Sequence, residues 1–156
     1  MQAYDYGKRD GVREVTWEEF GALSRVLAEG LAAAGADVIV GIARAGLFPA
    51  TQVALHLRSE MFPVRVTRRL NDRVVYGSPV WKVGVSEEIA GKVVAVVDEM
   101  ADTGETLRMV ASAVVEAGAA GVLTASLVAH TWADPAPDFV ALTTDAFVVF
   151  PWDREV

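Results

Sequence analysis

Cysteine is absent from the 156-residue chain, so neither a disulfide framework nor a thiolate metal centre can be built from it. Apolar residues never run on for the roughly 20 positions that span a bilayer; Gly, Pro or a charge interrupts each stretch first. No membrane-spanning helix and no membrane partner are expected. Basic residues are outnumbered, 14 Lys and Arg against 21 Asp and Glu, and the net charge of −7 argues against broad nucleic-acid binding, which needs a positive face. Residues 1–15 mix acids, bases and aromatics and lack the apolar segment of a secretory signal. Together with the missing cysteine, this points to the cytoplasm.

What is present is a chain that is 53% hydrophobic with a mean hydropathy of +0.31, enough for one compact domain with a sizeable core. Thr16 reads as a helix N-cap, with Glu19 placed to close a capping box and Val15 and Phe20 to form a hydrophobic staple. Phe20, Leu23, Leu27 and Leu31 recur at helical spacing until Gly35. Then follow a strand over 37–43, a helix over 47–59, a strand over 62–68, a strand over 92–98, a helix over 104–118 and a strand over 121–129. Short β-like pieces at Phe139–Leu142 and Phe147–Phe150 have no helix between them. Alternating strands and helices predict a single α/β domain, 1–156, with a mostly parallel twisted sheet flanked by helices and its ligands at the carboxyl ends of the strands.

One stretch carries chemistry. In "VVAVVDEMADTGETL", Val93–Leu107, a buried strand gives way to Asp98, Glu99 and Asp102, with Thr103, Gly104 and Thr106 beside them. A turn entering a helix presents backbone N–H groups and the positive end of the helix dipole, which together hold a phosphate; the threonines add hydroxyls and the glycine permits close approach. Neither a Walker lysine loop nor G-x-G-x-x-G follows any strand. Spacing alone is met equally well by Thr103 capping an ordinary helix with its acids in solvent.

The same stretch resembles the phosphoribosyl-diphosphate motif of the type I phosphoribosyltransferases: apolar residues, two acids, two variable residues, then Asp-Thr-Gly-x-Thr. The resemblance implies that Asp98 and Glu99 hold the ribose hydroxyls, directly or through Mg²⁺. It also implies that Ala101, Asp102, Thr103, Gly104, Glu105 and Thr106 wrap the 5′-phosphate. Asp102 is the residue that 6-oxopurine enzymes place to exchange a proton with the purine imidazole, and it is the implied catalytic residue. "GIARAGLFPA", Gly41–Ala50, resembles the family's pyrophosphate loop. Arg44 and the amides of Ala45 and Gly46 are its implied ligands, Ala45 stands where the family has Gly, and a cis peptide is common there.

"DAFVVFPWD" resembles the C-terminal end of bacterial and archaeal xanthine, guanine and hypoxanthine enzymes. By that resemblance Phe147 stacks on the base, Val148 offers its backbone to the base edge, and Asp153 joins Asp98 and Glu99 around Mg²⁺. Segment 139–153 would form a base-side hood. Segment 67–82, within the basic run that includes Arg65, Arg68, Arg69, Arg73 and Lys82, occupies the place of the flexible loop that closes over the substrates. By the resemblance Asp102 points to hypoxanthine, guanine or xanthine, but His130 stands where these enzymes have a Lys that donates to the base O6, and this departure leaves the identity of the base open. Purine salvage through phosphoribosyl diphosphate and a purine base, in a homodimer or homotetramer, is the implied activity. A phosphoribosyl-diphosphate-sensing RNA-binding regulator and a transferase for a non-purine base are the rivals.

Overall fold

The computed structural model describes residues 9–153, so the expectation about a leader rests mostly on positions 1–8, which lie outside the described residues. The first strand, β1 (Val12–Glu14), precedes α1 (Trp17–Ala33), which starts where Thr16 is expected to cap it: Thr16 Oγ1 accepts the Glu19 N–H at 3.1 Å. Val15 and Phe20 are both buried. Glu19 does not close the capping box. Its carboxylate pairs with the Arg13 guanidinium on β1, a charge-assisted contact stronger than one to a backbone amide, and so ties β1 to α1.

The chain continues as β2 (Val38–Ala43), α2 (Leu47–Leu57), β3 (Met61–Thr67), β4 (Arg69–Leu70), β5 (Arg73–Val74) and β6 (Val80–Val83). After a 3₁₀ turn at Glu87–Ile89 come β7 (Val93–Ala101), α3 (Glu105–Glu116), β8 (Gly121–Ala129), β9 (Phe139–Thr143) and β10 (Phe147–Val149), and then a 3₁₀ turn at Pro151–Asp153. Six strands form the main sheet in the order β6-β3-β2-β7-β8-β9. Only the edge strand β6 is antiparallel, so the sheet is mostly parallel as expected.

Its strands are apolar on both faces because both faces are covered. Ala95 and Val97 of β7 pack with Leu27 and Leu31 of α1 and Val53 of α2, while Val94 and Val96 pack with Leu107, Val110 and Val114 of α3.

The order places the site. β2 and β7 are neighbours, but β2 leads through α2 to β3 on one side and β7 leads through α3 to β8 on the other. The loops that leave their carboxyl ends therefore diverge and open a crevice at the switch point of the sheet.

The segment 139–153 divides. Its first part is β9, the parallel edge strand beside β8, and only its second part leaves the sheet, where β10 pairs in parallel with β1. The small second sheet thus takes one strand from each end of the described chain. Segment 67–82 holds more structure than a plain loop: a β4–β5 hairpin and the start of β6.

Candidate active site

β7 carries its two acids inside the strand rather than after it. Pairing with β8 continues from Asp98↔Ser126 to Ala101↔Ala129, because β8 is equally long and Met100 and Ala101 resume the apolar pattern. Asp98 is buried, and its Oδ1 accepts the Glu99 N–H at 2.9 Å. Burial, and then the charge of Glu99, hold the Asp98 carboxyl well above the usual carboxylate range. Gly46, at the start of α2, lies against it. A Cβ on Gly46 would stand 2.4 Å from the Ile42 carbonyl oxygen and 2.7 Å from Asp98 Oδ1, so this close approach of the two loops admits only glycine.

The turn from β7 into α3 passes through Gly104 in the left-handed region, φ +88°, where a Cβ would also meet the Pro135 carbonyl at 2.6 Å. The Thr103 carbonyl accepts the Asp134 N–H at 2.9 Å, which fixes the turn from outside. Thr103 Oγ1 accepts the Glu105 N–H at 3.3 Å, and the Arg108 N–H is bonded to Gly104 O at 3.1 Å. The amides before Arg108 precede the helical ladder and sit at the positive end of the α3 dipole. Ala101, Asp102, Thr103, Gly104, Glu105 and Thr106 all line a cavity of about 390 Å³ together with Asp98 and Glu99.

A second cavity of about 810 Å³ adjoins it and shares Arg44, Thr67, Arg69 and Glu99 with it. Arg44 follows a cis peptide to Ala43, and its guanidinium pairs with Asp72 on the β4–β5 hairpin, the two side chains being 67% and 68% exposed. Ala45 lines the second cavity. So do His130, Phe147, Val148 and Asp153, drawn there from the end of β8, from β10 and from the final turn. Phe147 is 41% exposed. The Phe147 N–H and the Val149 carbonyl point to β1, bonded to Gly11 O and Val15 N, so strand alternation turns the backbone groups of Val148 the other way. Trp152 is packing: its ring stacks between Phe48 and Phe150 at centroid distances of 4.4 and 4.7 Å.

Asp102 lines the first cavity, and three side chains converge on it, two of them, Arg9 and His130, from the lining of the second. Trp132 Nε1 donates to Oδ1 at 2.9 Å, Arg9 Nη2 donates to Oδ2 at 3.3 Å, and His130 Nε2 stands 3.9 Å from Oδ1. His130 and Trp132 stack at 4.4 Å. Their turn is pinned to the β9–β10 connection: His130 Nδ1 meets Thr144 O at 2.6 Å, and the Asp145 carboxylate accepts both the N–H and the hydroxyl of Thr131. Those bonds hold Asp145 below the usual carboxylate range.

The Phosphoribosyl transferase domain model matches residues 17–156. The chain belongs to the phosphoribosyltransferase family. A purine phosphoribosyltransferase from Pyrococcus horikoshii Ot3 has the same fold, at 30% identity and a TM-score of 0.83 over 93% of this chain and 96% of that one. A Helicobacter pylori xanthine-guanine-hypoxanthine phosphoribosyltransferase superposes at 17% identity and TM-score 0.73, covering 91% and 92% of the two chains. A hypothetical protein from Neisseria gonorrhoeae with bound ppGpp does so at 23% and 0.74, covering 92% and 90%. The last two are similarities of fold.

Within this phosphoribosyltransferase, the three expected metal ligands do not converge. No group of three His, Asp or Glu able to hold a metal is present among the described residues, and Asp153 Oδ2 accepts the Phe150 N–H at 2.9 Å. Of the basic run, Arg65, Arg68 and Arg69 line the cavities, whereas Lys82 is turned to the Tyr76 hydroxyl at 3.2 Å. His130 lines the second cavity, and because a carbonyl only accepts, the proton on Nδ1 belongs to Thr144 O. Arg9 and Trp132 went unnoticed in the sequence: each is a lone residue outside every motif.

Proposed function

We propose that this phosphoribosyltransferase transfers the 5-phosphoribosyl group of phosphoribosyl diphosphate to a 6-oxopurine, hypoxanthine, guanine or xanthine. The products are the nucleoside monophosphate and pyrophosphate, and the setting is purine salvage in the cytoplasm by a homodimer or homotetramer. The observation that carries the reading is the position of Asp102, a carboxylate that lines the cavity of the β7–α3 turn and is bonded to Arg9, a lining residue of the cavity that holds Phe147 and Val148.

The α3 amides, with Thr103 and Thr106, hold the 5′-phosphate, and Glu99 faces the ribose. Arg44 meets the pyrophosphate, exchanging Asp72 for it, and arginines on the β4–β5 hairpin close over the leaving group. Phe147 stacks on the base and the Val148 backbone reads its edge. At the sugar C1, the bond to the pyrophosphate oxygen breaks as the bond to the base nitrogen forms, and the imidazole proton that the base loses goes to Asp102.

The donor set suits Mg²⁺, a hard cation bound by one or two carboxylates together with substrate phosphates. Glu99 and Asp98 would hold it with the donor, and it would supply charge neutralisation of the pyrophosphate.

A panel of hypoxanthine, guanine, xanthine, adenine, uracil and orotate, each with donor and Mg²⁺, tests the reading by pyrophosphate release. Release is expected with the 6-oxopurines; release with no base would refute it. His130, standing where the 6-oxopurine enzymes have a lysine, is the ground for a second reading, a non-purine acceptor, and release confined to uracil or orotate would establish that one instead.

A further inference from the structure

We propose that Arg9 selects an exocyclic oxygen over an amino group at position 6 of the acceptor base, an assignment that rests on the purine reading above. The Arg9 side chain is only 10% exposed and lines the cavity that contains His130, Phe147 and Val148. A guanidinium taken this far out of water needs an anion, and Asp102 supplies it at 3.3 Å.

Two other donors near Asp102 are already bonded: the Trp132 indole N–H is on Asp102 Oδ1 at 2.9 Å, and the His130 Nδ1 proton is on Thr144 O at 2.6 Å. Among the described residues touching Asp102, Arg9 is the one with a permanent cationic donor fork.

The chemistry of the purine edge completes the argument. The imidazole nitrogen N7 and the substituent at position 6 are neighbours on one edge, and arginine is the side chain that reads an oxo group there, because an oxygen accepts while an amino group presents hydrogens. With Asp102 at the imidazole proton, a guanidinium bonded to that carboxylate lies beside position 6. It attracts an oxo group and repels an amino group. Arg9 also keeps Asp102 paired while the base is absent.

The test compares kcat/KM for hypoxanthine and for adenine in wild type, Arg9→Met and Arg9→Lys, with donor affinity by calorimetry and a thermal melt of each variant. Met keeps the length and the apolar stem but has no N–H groups. Arg9→Met is expected to lower the hypoxanthine-to-adenine ratio by about 10- to 100-fold, with donor affinity held within about twofold and Arg9→Lys restoring part of the ratio. A ratio unchanged in Arg9→Met overturns the assignment, whether both bases keep their rates or both fall together, since a shared fall is what loss of a mere partner to Asp102 would produce. Wild-type enzyme that turns over no purine overturns the purine reading, and this assignment with it; wild-type turnover of hypoxanthine with an insensitive Arg9→Met overturns this assignment alone.

Discussion

The β7–α3 end of the crevice draws Asp98, Glu99, Asp102, Thr103 and Gly104 from one continuous stretch, whereas the second cavity, proposed to take the base, collects Arg9, His130, Phe147 and Val148, with Trp132 stacked on His130, from segments that meet only in the folded sheet. The first is built largely of backbone: the amides at the start of α3, a left-handed glycine and a close approach at Gly46. The second is built mainly of side chains brought together by contacts between distant segments. A phosphate is met well by backbone dipoles at a helix start, and these require a particular local sequence. A flat base needs an aromatic face and a few aimed donors, which any element that reaches the cavity can bring.

Asp102→Asn strikes the residue that lines the first region and is bonded to Arg9 of the second, and should have the largest effect. A loss of about 10²- to 10⁴-fold in kcat is expected for removal of a general acid–base group, with donor affinity by calorimetry nearly unchanged. Unchanged turnover would remove Asp102 from the chemistry and break the contrast between the regions.

Phe147→Ala tests the base side alone. Loss of a base-stacking ring is worth about 1–3 kcal/mol, so KM for the base should rise by about 5- to 150-fold while KM for the donor stays put. A rise shared by both substrates would mean that the two cavities are not separate in function.

Gly104→Ala tests the donor side. A side chain forced into the left-handed region costs on the order of 1–3 kcal/mol, and its Cβ would meet the Pro135 carbonyl. Denaturant unfolding should register the lost stability, and donor affinity should weaken more than base affinity.

Asp98→Asn is the smallest and acts on stability. Burial and Glu99 raise the Asp98 pKa in the folded state, so the stability its protonated form contributes is full below about pH 4, its unfolded value, and is lost as pH rises through the raised pKa. Asparagine cannot ionise. Without added metal, the variant should therefore gain on the wild type as pH rises, which thermal melts from pH 4 to 8 would follow; a constant gap would show that Asp98 ionises in the fold as freely as in the unfolded chain.

The same contrast explains what could be read from the sequence. The strand–helix alternation, the Thr16 cap and the Asp98–Thr106 turn were legible because each is a local pattern with a local cause. β1 escaped notice because three residues carry no periodicity, and its partner β10 lies at the opposite end of the chain. The capping box failed at Glu19 for the same reason, since Arg13 competes for it only once β1 is in place. His130 was visible as a departure from the family, but the orientation of its ring depends on Thr144, a contact across a loop. Arg9 and Trp132 owe their place entirely to the tertiary fold.

The most direct test of the proposed division of labour is phosphorus NMR of the wild-type protein with phosphoribosyl diphosphate, Mg²⁺ and hypoxanthine. The account predicts that the donor's diphosphate resonances disappear while free pyrophosphate and a nucleoside monophosphate grow in equal amounts. A donor that persists unchanged under these conditions, although it binds in calorimetry, would contradict the account.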